Sequence, residues 1–247
     1  MKKTPSNAVI SKPWKNCLAG FPSLGKCPLI VGVLTSFGDV TRVLKMPERP
    51  FDLVEWRLDL TGQRSGRWVE RCFEMEQAGL PVLLTIRSSN EGGKWFGEDE
   101  ERFMLYRRGL DVVSMVDVEI NSRLLPRVIA AAHARGKPVI GSFHDFSGTP
   151  PRTVLEEVAR LGWRTGADIV KLATKLQTPE DLVLLQTILR TGTPQRPLCI
   201  IGMGAAEARL ALARAGSCLV YGFLGKSTAL GQVACDVLAE QLGRNSK

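Results

Sequence analysis

Eight short apolar runs recur along the chain, each followed by a segment with helical punctuation. They are Leu29 to Leu34, Asp52 to Leu58, Val82 to Arg87, Val112 to Glu119, Pro138 to Phe143, Asp168 to Leu172, Leu198 to Gly202, and Cys218 to Gly222. Most are continuous instead of alternating, as parallel strands covered by helices on the outside require. Helical segments fall between them: a short one near Asp39 to Leu44, then Arg67 to Gln77, Asp99 to Arg108, Ser122 to Arg135, Pro151 to Arg164, Pro179 to Leu189, Ala205 to Ala215 and Gly231 to Leu242. Glycines after the last turns, at Gly79, Gly136 and Gly216, and Thr178 before Pro179 are the expected end signals. The alternation predicts an α/β chain folded as a (β/α)8 TIM barrel, with a doubly wound sheet as the alternative. No GxGxxG follows the first run, which counts against dinucleotide binding.

The chain has 247 residues and is 44% hydrophobic, enough for one sizeable core. No linker-like stretch interrupts it after Pro28, so residues 27–247 read as a single barrel domain. Residues 1–26 are basic, carry Pro5, Pro13, Pro22 and Gly20, and read as a loosely ordered extension. They contain no uninterrupted apolar stretch of signal-peptide type, and no run reaches membrane-spanning length, so a soluble cytoplasmic protein is expected. The six cysteines form no CxxC pair and read as small buried hydrophobes of a reducing compartment. With two histidines and no Cys/His cluster, no metal site is expected. The net charge of +8 comes from scattered residues, with only Arg102 and Arg107-Arg108 hinting at a patch. A solvated basic surface without nucleic-acid binding is the reading, and the charge also favours an anionic small substrate.

Lys171 ends the run Gly166-Ala167-Asp168-Ile169-Val170-Lys171. Burial at a strand end should lower its pKa and free the amine, as Schiff-base chemistry on a ketone needs. His144 ends the preceding run. Taken singly, these are a snorkelling lysine and a capped loop histidine. In a barrel, however, catalytic groups gather at the C-terminal ends of strands. Collected there are Glu55 and Arg57 on one face of strand two, Arg87 and Glu91 after strand three, and Asp117 and Glu119 on one face of strand four. Met203 follows strand seven, Arg209 the next helix start, and Gln232 a glycine-containing loop after strand eight. Charged pairs inside a barrel also fit a purely structural layer of buried salt bridges. Lys175, placed in the loop beyond Lys171, is the rival nucleophile.

The segments Glu55-Trp56-Arg57-Leu58-Asp59, Arg87-Ser88-Ser89-Asn90-Glu91-Gly92-Gly93, His144-Asp145-Phe146-Ser147-Gly148-Thr149-Pro150, Gly166 to Lys171 and Gly231-Gln232 carry a specific resemblance. In this order they resemble the type I 3-dehydroquinate dehydratases, Schiff-base enzymes of the shikimate pathway. The resemblance implies that Lys171 forms an imine with the C3 ketone of 3-dehydroquinate and that His144 is the general base and acid, tuned by Glu91. It implies that Glu55, Arg57 and Arg87 hold substrate hydroxyls and the other catalytic groups. Arg209 would bind the substrate carboxylate, Met203 would pack on the ring, and Thr228 and Gln232 would belong to a closing loop. It implies no cofactor, and a homodimer. The chain departs from the pattern at Thr228 and Leu230, where serine and proline are usual, at Ala208, at Gly32-Val33, and in a shortened stretch from Met203 to Arg209. Two other readings stay open: a class I aldolase type of Schiff-base barrel acting on a sugar phosphate, and a non-catalytic barrel that binds a metabolite or nucleic acid.

Overall fold

The computed structural model describes residues 27–62, 66–225, 227 and 231–244. The extension before Cys27, Cys17 within it, and Thr228 and Leu230 of the expected closing loop lie outside the described residues. Along the chain follow β1 (Leu29–Leu34), α1 (Phe37–Lys45), β2 (Leu53–Arg57), α2 (Leu58–Thr61), α3 (Arg67–Gln77), β3 (Val82–Thr85), α4 (Asp99–Gly109), β4 (Met115–Glu119), α5 (Leu125–His133) and β5 (Val139–Asp145). Then come α6 (Arg152–Thr165), β6 (Ile169–Lys175), α7 (Pro179–Leu189), β7 (Leu198–Met203), α8 (Ala206–Arg214), β8 (Leu219–Phe223), β9 (Val233–Ala234) and α9 (Cys235–Gln241). The eight expected strands are all present and all neighbours are parallel, in the order β7-β6-β5-β4-β3-β2-β1-β8-β9.

The inward-facing residues explain the continuous apolar runs. Each strand places alternate side chains inside the barrel, and the inward set changes character with height. Its lower members are Leu53, Leu83, Met115, Ile140, Ile169, Cys199 and Leu219, part of one buried apolar cluster. Two residues higher on five of these strands come Glu55, Thr85, Asp117, Ser142 and Lys171, all buried. The outward side chains, such as Val54, Leu84, Val116 and Val118, stay apolar because helices cover them. Both phases are therefore hydrophobic at the bottom of the barrel, and only the inward phase turns polar at its top.

The seam between β7 and β8 is made differently. Cys218 N donates to the Leu198 carbonyl at 2.9 Å. Ser217 Oγ accepts from Ile200 N at 2.9 Å and donates to the Leu219 carbonyl at 3.0 Å. With β1 on one edge of β8, the short β9 takes the other edge, through Gly222 and Phe223. The expected helix from Gly231 to Leu242 is thus corrected: it starts at Cys235, because Val233 and Ala234 are used as ladder residues. Gly231, at φ +68°, packs so closely that a Cβ there would fall 2.8 Å from Ala205 N.

Helix α4 ties the tops of β3 and β4 together through two side chains one turn apart. Tyr106 Oη donates to the Asp117 carbonyl at 2.7 Å and accepts from Ile86 N at 3.2 Å. Arg102 donates through Nε to the Ile86 carbonyl at 2.8 Å and through a terminal nitrogen to Glu119. Arg102 is buried, so its reading as part of a surface patch is corrected. Asp168 of the Gly-Ala-Asp segment is also structural: it accepts from Val139 N at 2.9 Å and pairs with His133 at 2.8 Å. Of the cysteines, Cys72, Cys199, Cys218 and Cys235 are buried free thiols as expected, whereas Cys27 is exposed.

Removing one partner of a buried ion pair leaves the other charge without its match. Arg102→Leu should therefore lower unfolding stability by about 3 kcal/mol or more. Urea denaturation followed by circular dichroism measures this, and an unchanged midpoint would contradict the anchoring role given to Arg102.

Candidate active site

At the C-terminal mouth of the barrel lies an open cavity of about 120 Å³. Of the candidate residues, Glu55, Arg57, Arg87, Glu91, His144, Lys171, Met203, Arg209 and Gln232 all line it. Thr228 is the exception, since it falls outside the described residues.

Lys171 sits within β6, not at its end. The strand continues to Lys175, which is its exposed last residue and not part of a loop. The hydrophobic run stops at Leu172, but the ladder carries on through Thr174 and Lys175 opposite Gly202 and Met203. Lys171 Nζ donates to Asp117 Oδ2 at 3.2 Å and lies 4.0 Å from Glu55 Oε1. It also stands over the Tyr221 ring, 4.2 Å from its centroid. The buried amine thus has a hydrogen-bonded carboxylate partner, which an argument from burial alone does not include.

Asp117 is the shared partner of the cluster. Arg87 donates to Asp117 Oδ1 at 2.7 Å, to Glu119 Oε1 at 3.2 Å and to Ser142 Oγ at 2.6 Å. Ser142 Oγ in turn donates to Asp117 Oδ1 at 2.6 Å. Burial works to raise the Asp117 carboxyl, but the Arg87 guanidinium and the Lys171 ammonium outweigh it and hold it below the usual carboxylate range. Glu55 accepts from the Thr85 hydroxyl at 2.8 Å. Arg57 is held by both oxygens of Asp59, at 2.9 and 2.7 Å, and so presents a fixed guanidinium to the cavity.

Glu91 reaches back to His144 from the short 3-10 turn Ser89–Glu91. Its Oε2 accepts from His144 N and meets His144 Nδ1, both at 2.9 Å. With Nδ1 so directed, Nε2 is the nitrogen left for proton transfer. The Phe146 ring stacks beside the imidazole, 6.3 Å between centroids. Gly92, at φ +75°, permits this close approach: a Cβ there would fall 2.5 Å from the Phe146 ring. A nearby carboxylate by itself raises an imidazole pKa. The direction is the reverse, because burial and the cations Arg87 and Lys171 lower His144 well below its ordinary value. Burial also pushes Glu91 up, to about 8. Both shifts have one cause: the pocket disfavours a separated imidazolium and carboxylate.

Arg209 is buried on α8, and its Nε donates to the Gly231 carbonyl at 2.6 Å. Burial lowers its pKa to about 10. A desolvated guanidinium of this kind is suited to an anionic group. Two residues that meet the Lys171 amine had no assigned role in the sequence. Asp117 was visible as a polar residue in phase with Glu119 but also fitted a structural pair. Tyr221 lay inside an apolar run with nothing to mark it except its inward phase with Leu219.

A parallel (β/α)8 barrel with a charged cavity at its C-terminal mouth defines the chain as an enzyme of the barrel class. The chain belongs to the type I 3-dehydroquinase family, whose model matches residues 33–245. A 3-dehydroquinate dehydratase of Methanosarcina barkeri is 34% identical over 223 residues, covering 85% of this chain and 91% of the relative. The crystal structure of the 3-dehydroquinate dehydratase from Geobacillus kaustophilus matches with a TM-score of 0.78 at 28% identity, over 89% of this chain and 91% of that one. That of the Aquifex aeolicus enzyme matches with a TM-score of 0.76 at 33% identity, over 86% and 96%.

The depressed basicity of His144 can be read directly, since the chain has only two histidines. Its ring proton resonances, assigned by their loss in His144→Gln, should titrate with a midpoint below the ordinary value of 6.5. The imidazole then stays a free base as pH falls from neutrality to that value. A midpoint at or above it would show that the Glu91 carboxylate dominates over burial and the two cations.

Proposed function

We infer that this chain is a 3-dehydroquinate dehydratase that removes water through an imine on Lys171, its place in the shikimate pathway following from that activity. The observation that carries the reading is the convergence of one lysine amine and one oriented imidazole on a single cavity in a chain of this family. Lys171 Nζ adds to the C3 carbonyl and water leaves, giving an iminium. Asp117, already hydrogen-bonded to Nζ, supplies the counter-charge. The iminium withdraws electrons from the adjacent C2–H bond, and His144 Nε2 takes that proton. The electron pair forms the C1–C2 double bond as the C1–O bond breaks on the same face, and His144 returns its proton to the leaving hydroxyl. Water then hydrolyses the imine, releasing 3-dehydroshikimate and the lysine. Glu91 fixes the imidazole, while Arg57, Glu55 and Arg87 set the polar wall for the substrate hydroxyls. Arg209 holds the carboxylate, Met203 packs on the ring, and Gln232 and Thr228 close the mouth.

The aldolase-type alternative needs a phosphate cradle in the loops after β7 and β8. The close packing of Gly231 on Gly204 and Ala205 argues against one there. The nucleic-acid alternative is disfavoured by the pairing of surface cations with acids, as in Arg127–Glu100, Arg152–Glu156 and Arg135–Asp111. No described helix is long and apolar enough to cross a membrane. We further propose one catalytic domain over residues 27–247, working without a cofactor as a cytoplasmic homodimer. The free buried thiols support a reducing compartment, and the family resemblance supports the dimer.

Borohydride reduction with 3-dehydroquinate, followed by intact mass and peptide mapping, should place the adduct on Lys171. Lys171→Ala and Lys171→Arg should give none, and an adduct on Lys175 would refute the assignment. His144→Ala should still be trapped but lose elimination by about 10²–10⁴-fold or more in single turnover. Elimination at the parental rate would remove His144 from the mechanism.

Arg209→Ala should raise KM by roughly 10- to 100-fold, the worth of about 1.5–3 kcal/mol for a charge-assisted contact. An unchanged KM in steady-state assays would place the carboxylate elsewhere.

A further inference from the structure

Tyr221 is the inward residue of β8 above Leu219, in register with Val31 of β1. It is 96% buried (4% exposed) and forms part of the cavity wall. Its hydroxyl has no hydrogen-bond partner among the described residues. Other buried hydroxyls in the barrel mouth are engaged: Thr85 with Glu55, and Ser142 with Arg87 and Asp117. Burying a hydroxyl without a partner is costly, and phenylalanine would fill the same space without that cost. The ring has its own contact, since Lys171 Nζ stands 4.2 Å from its centroid. That contact needs only the aromatic face and leaves the hydroxyl unexplained.

We propose that Tyr221 is a further substrate-binding residue, whose hydroxyl donates to an oxygen on the substrate ring beside the carbon that Lys171 attacks. The proposal rests on the dehydratase reading and extends it to a residue outside the charged cluster. The ring lies against the nucleophilic amine, which puts it on the side of the carbon that Lys171 attacks. Burial, with the Glu55, Cys199 and Asp117 side chains nearby, raises the phenol well above its ordinary pKa, so it keeps its proton and acts as a donor. A polyhydroxylated cyclic ketone supplies the acceptor that the described residues do not. A site built this way discriminates against rings lacking that oxygen, because their binding leaves the hydroxyl buried and unpaired.

Tyr221→Phe separates this role from a structural one, because the two move stability and catalysis in different senses. The free variant should melt at the parental Tm or above it, and still form the borohydride-trapped adduct. Its kcat/KM for 3-dehydroquinate should fall about tenfold, the worth of one hydrogen bond to an otherwise unsatisfied group. A lowered Tm of the free variant would mean that the hydroxyl serves the fold, and would overturn the proposal. An unchanged kcat/KM in a parent that borohydride does trap would overturn this proposal alone. A parent that 3-dehydroquinate and borohydride fail to modify would overturn the dehydratase reading and this extension with it.

Discussion

A carboxylate without solvent inside a barrel must be matched by fixed cations and donors, and Asp117 is matched from three strands. Arg87 at the end of β3, Ser142 on β5 and Lys171 on β6 all bond to it. Two of these partners are held in turn: Ser142 by Arg87, Arg87 by Glu119, and Glu119 by Arg102 on α4. The network therefore locks the relative height of β3, β4, β5 and β6 as well as the direction of the lysine amine. Replacing such a cluster with hydrocarbon commonly costs a fold little. The buried charges of this barrel are better understood as a preorganised electrostatic environment, whose dipoles need not reorganise when charge develops on the substrate.

The same field explains the state of the imidazole. His144 lies close to Arg87 and Lys171, and both disfavour a second cation. The Asp117 carboxylate opposes them only in part, and Glu91 is itself buried and pushed toward its neutral form. A histidine held neutral suits a group that must first take a proton. In the mechanism we propose, Lys171 as an iminium would keep a positive charge in the site, so a proton taken by His144 would be readily given back. Acid and base roles for one residue follow from its surroundings, without a second titrating partner at the substrate.

The sequence was most legible where both faces of a strand are apolar. β1, α3 and α7 match the expected bounds residue for residue, because continuous hydrophobic runs and clear caps such as Thr178 mark them. It was least legible where function begins. β5 and β6 run on to Asp145 and Lys175, past the apolar stretches that end at Phe143 and Leu172. Those terminal residues are polar and no longer buried, yet their backbones remain in the ladder. β9 was missed because Val233 and Ala234 also suit a first helical turn, and only the open edge of β8 selects the extended form. Among site residues, Lys171, His144 and Glu91 stand out by type and place. Tyr221 does not, since an aromatic residue in an apolar strand looks like core until its hydroxyl is accounted for.

The described residues at which the sequence departs from the pattern it resembles lie on β1 and α8. Val33 stands on the cavity wall and Ala208 is buried close to Gly202, both on the β1 and β7–α8 side. The Asp117 network runs from β3 to β6, and Val33 is in register with Glu55 on the neighbouring β2. On the varied side the sheet is also joined least regularly, through Ser217 and the inserted β9. Arg209 and Gly231 meet there, so the group suited to an anion is positioned by a backbone carbonyl from the inserted segment. The Asp117 network and the Arg209 contact thus rest on two kinds of tie within one barrel. The first holds its charges at fixed distances by buried ion pairs. The second is set by a backbone carbonyl at Gly231, whose own position depends on having no side chain.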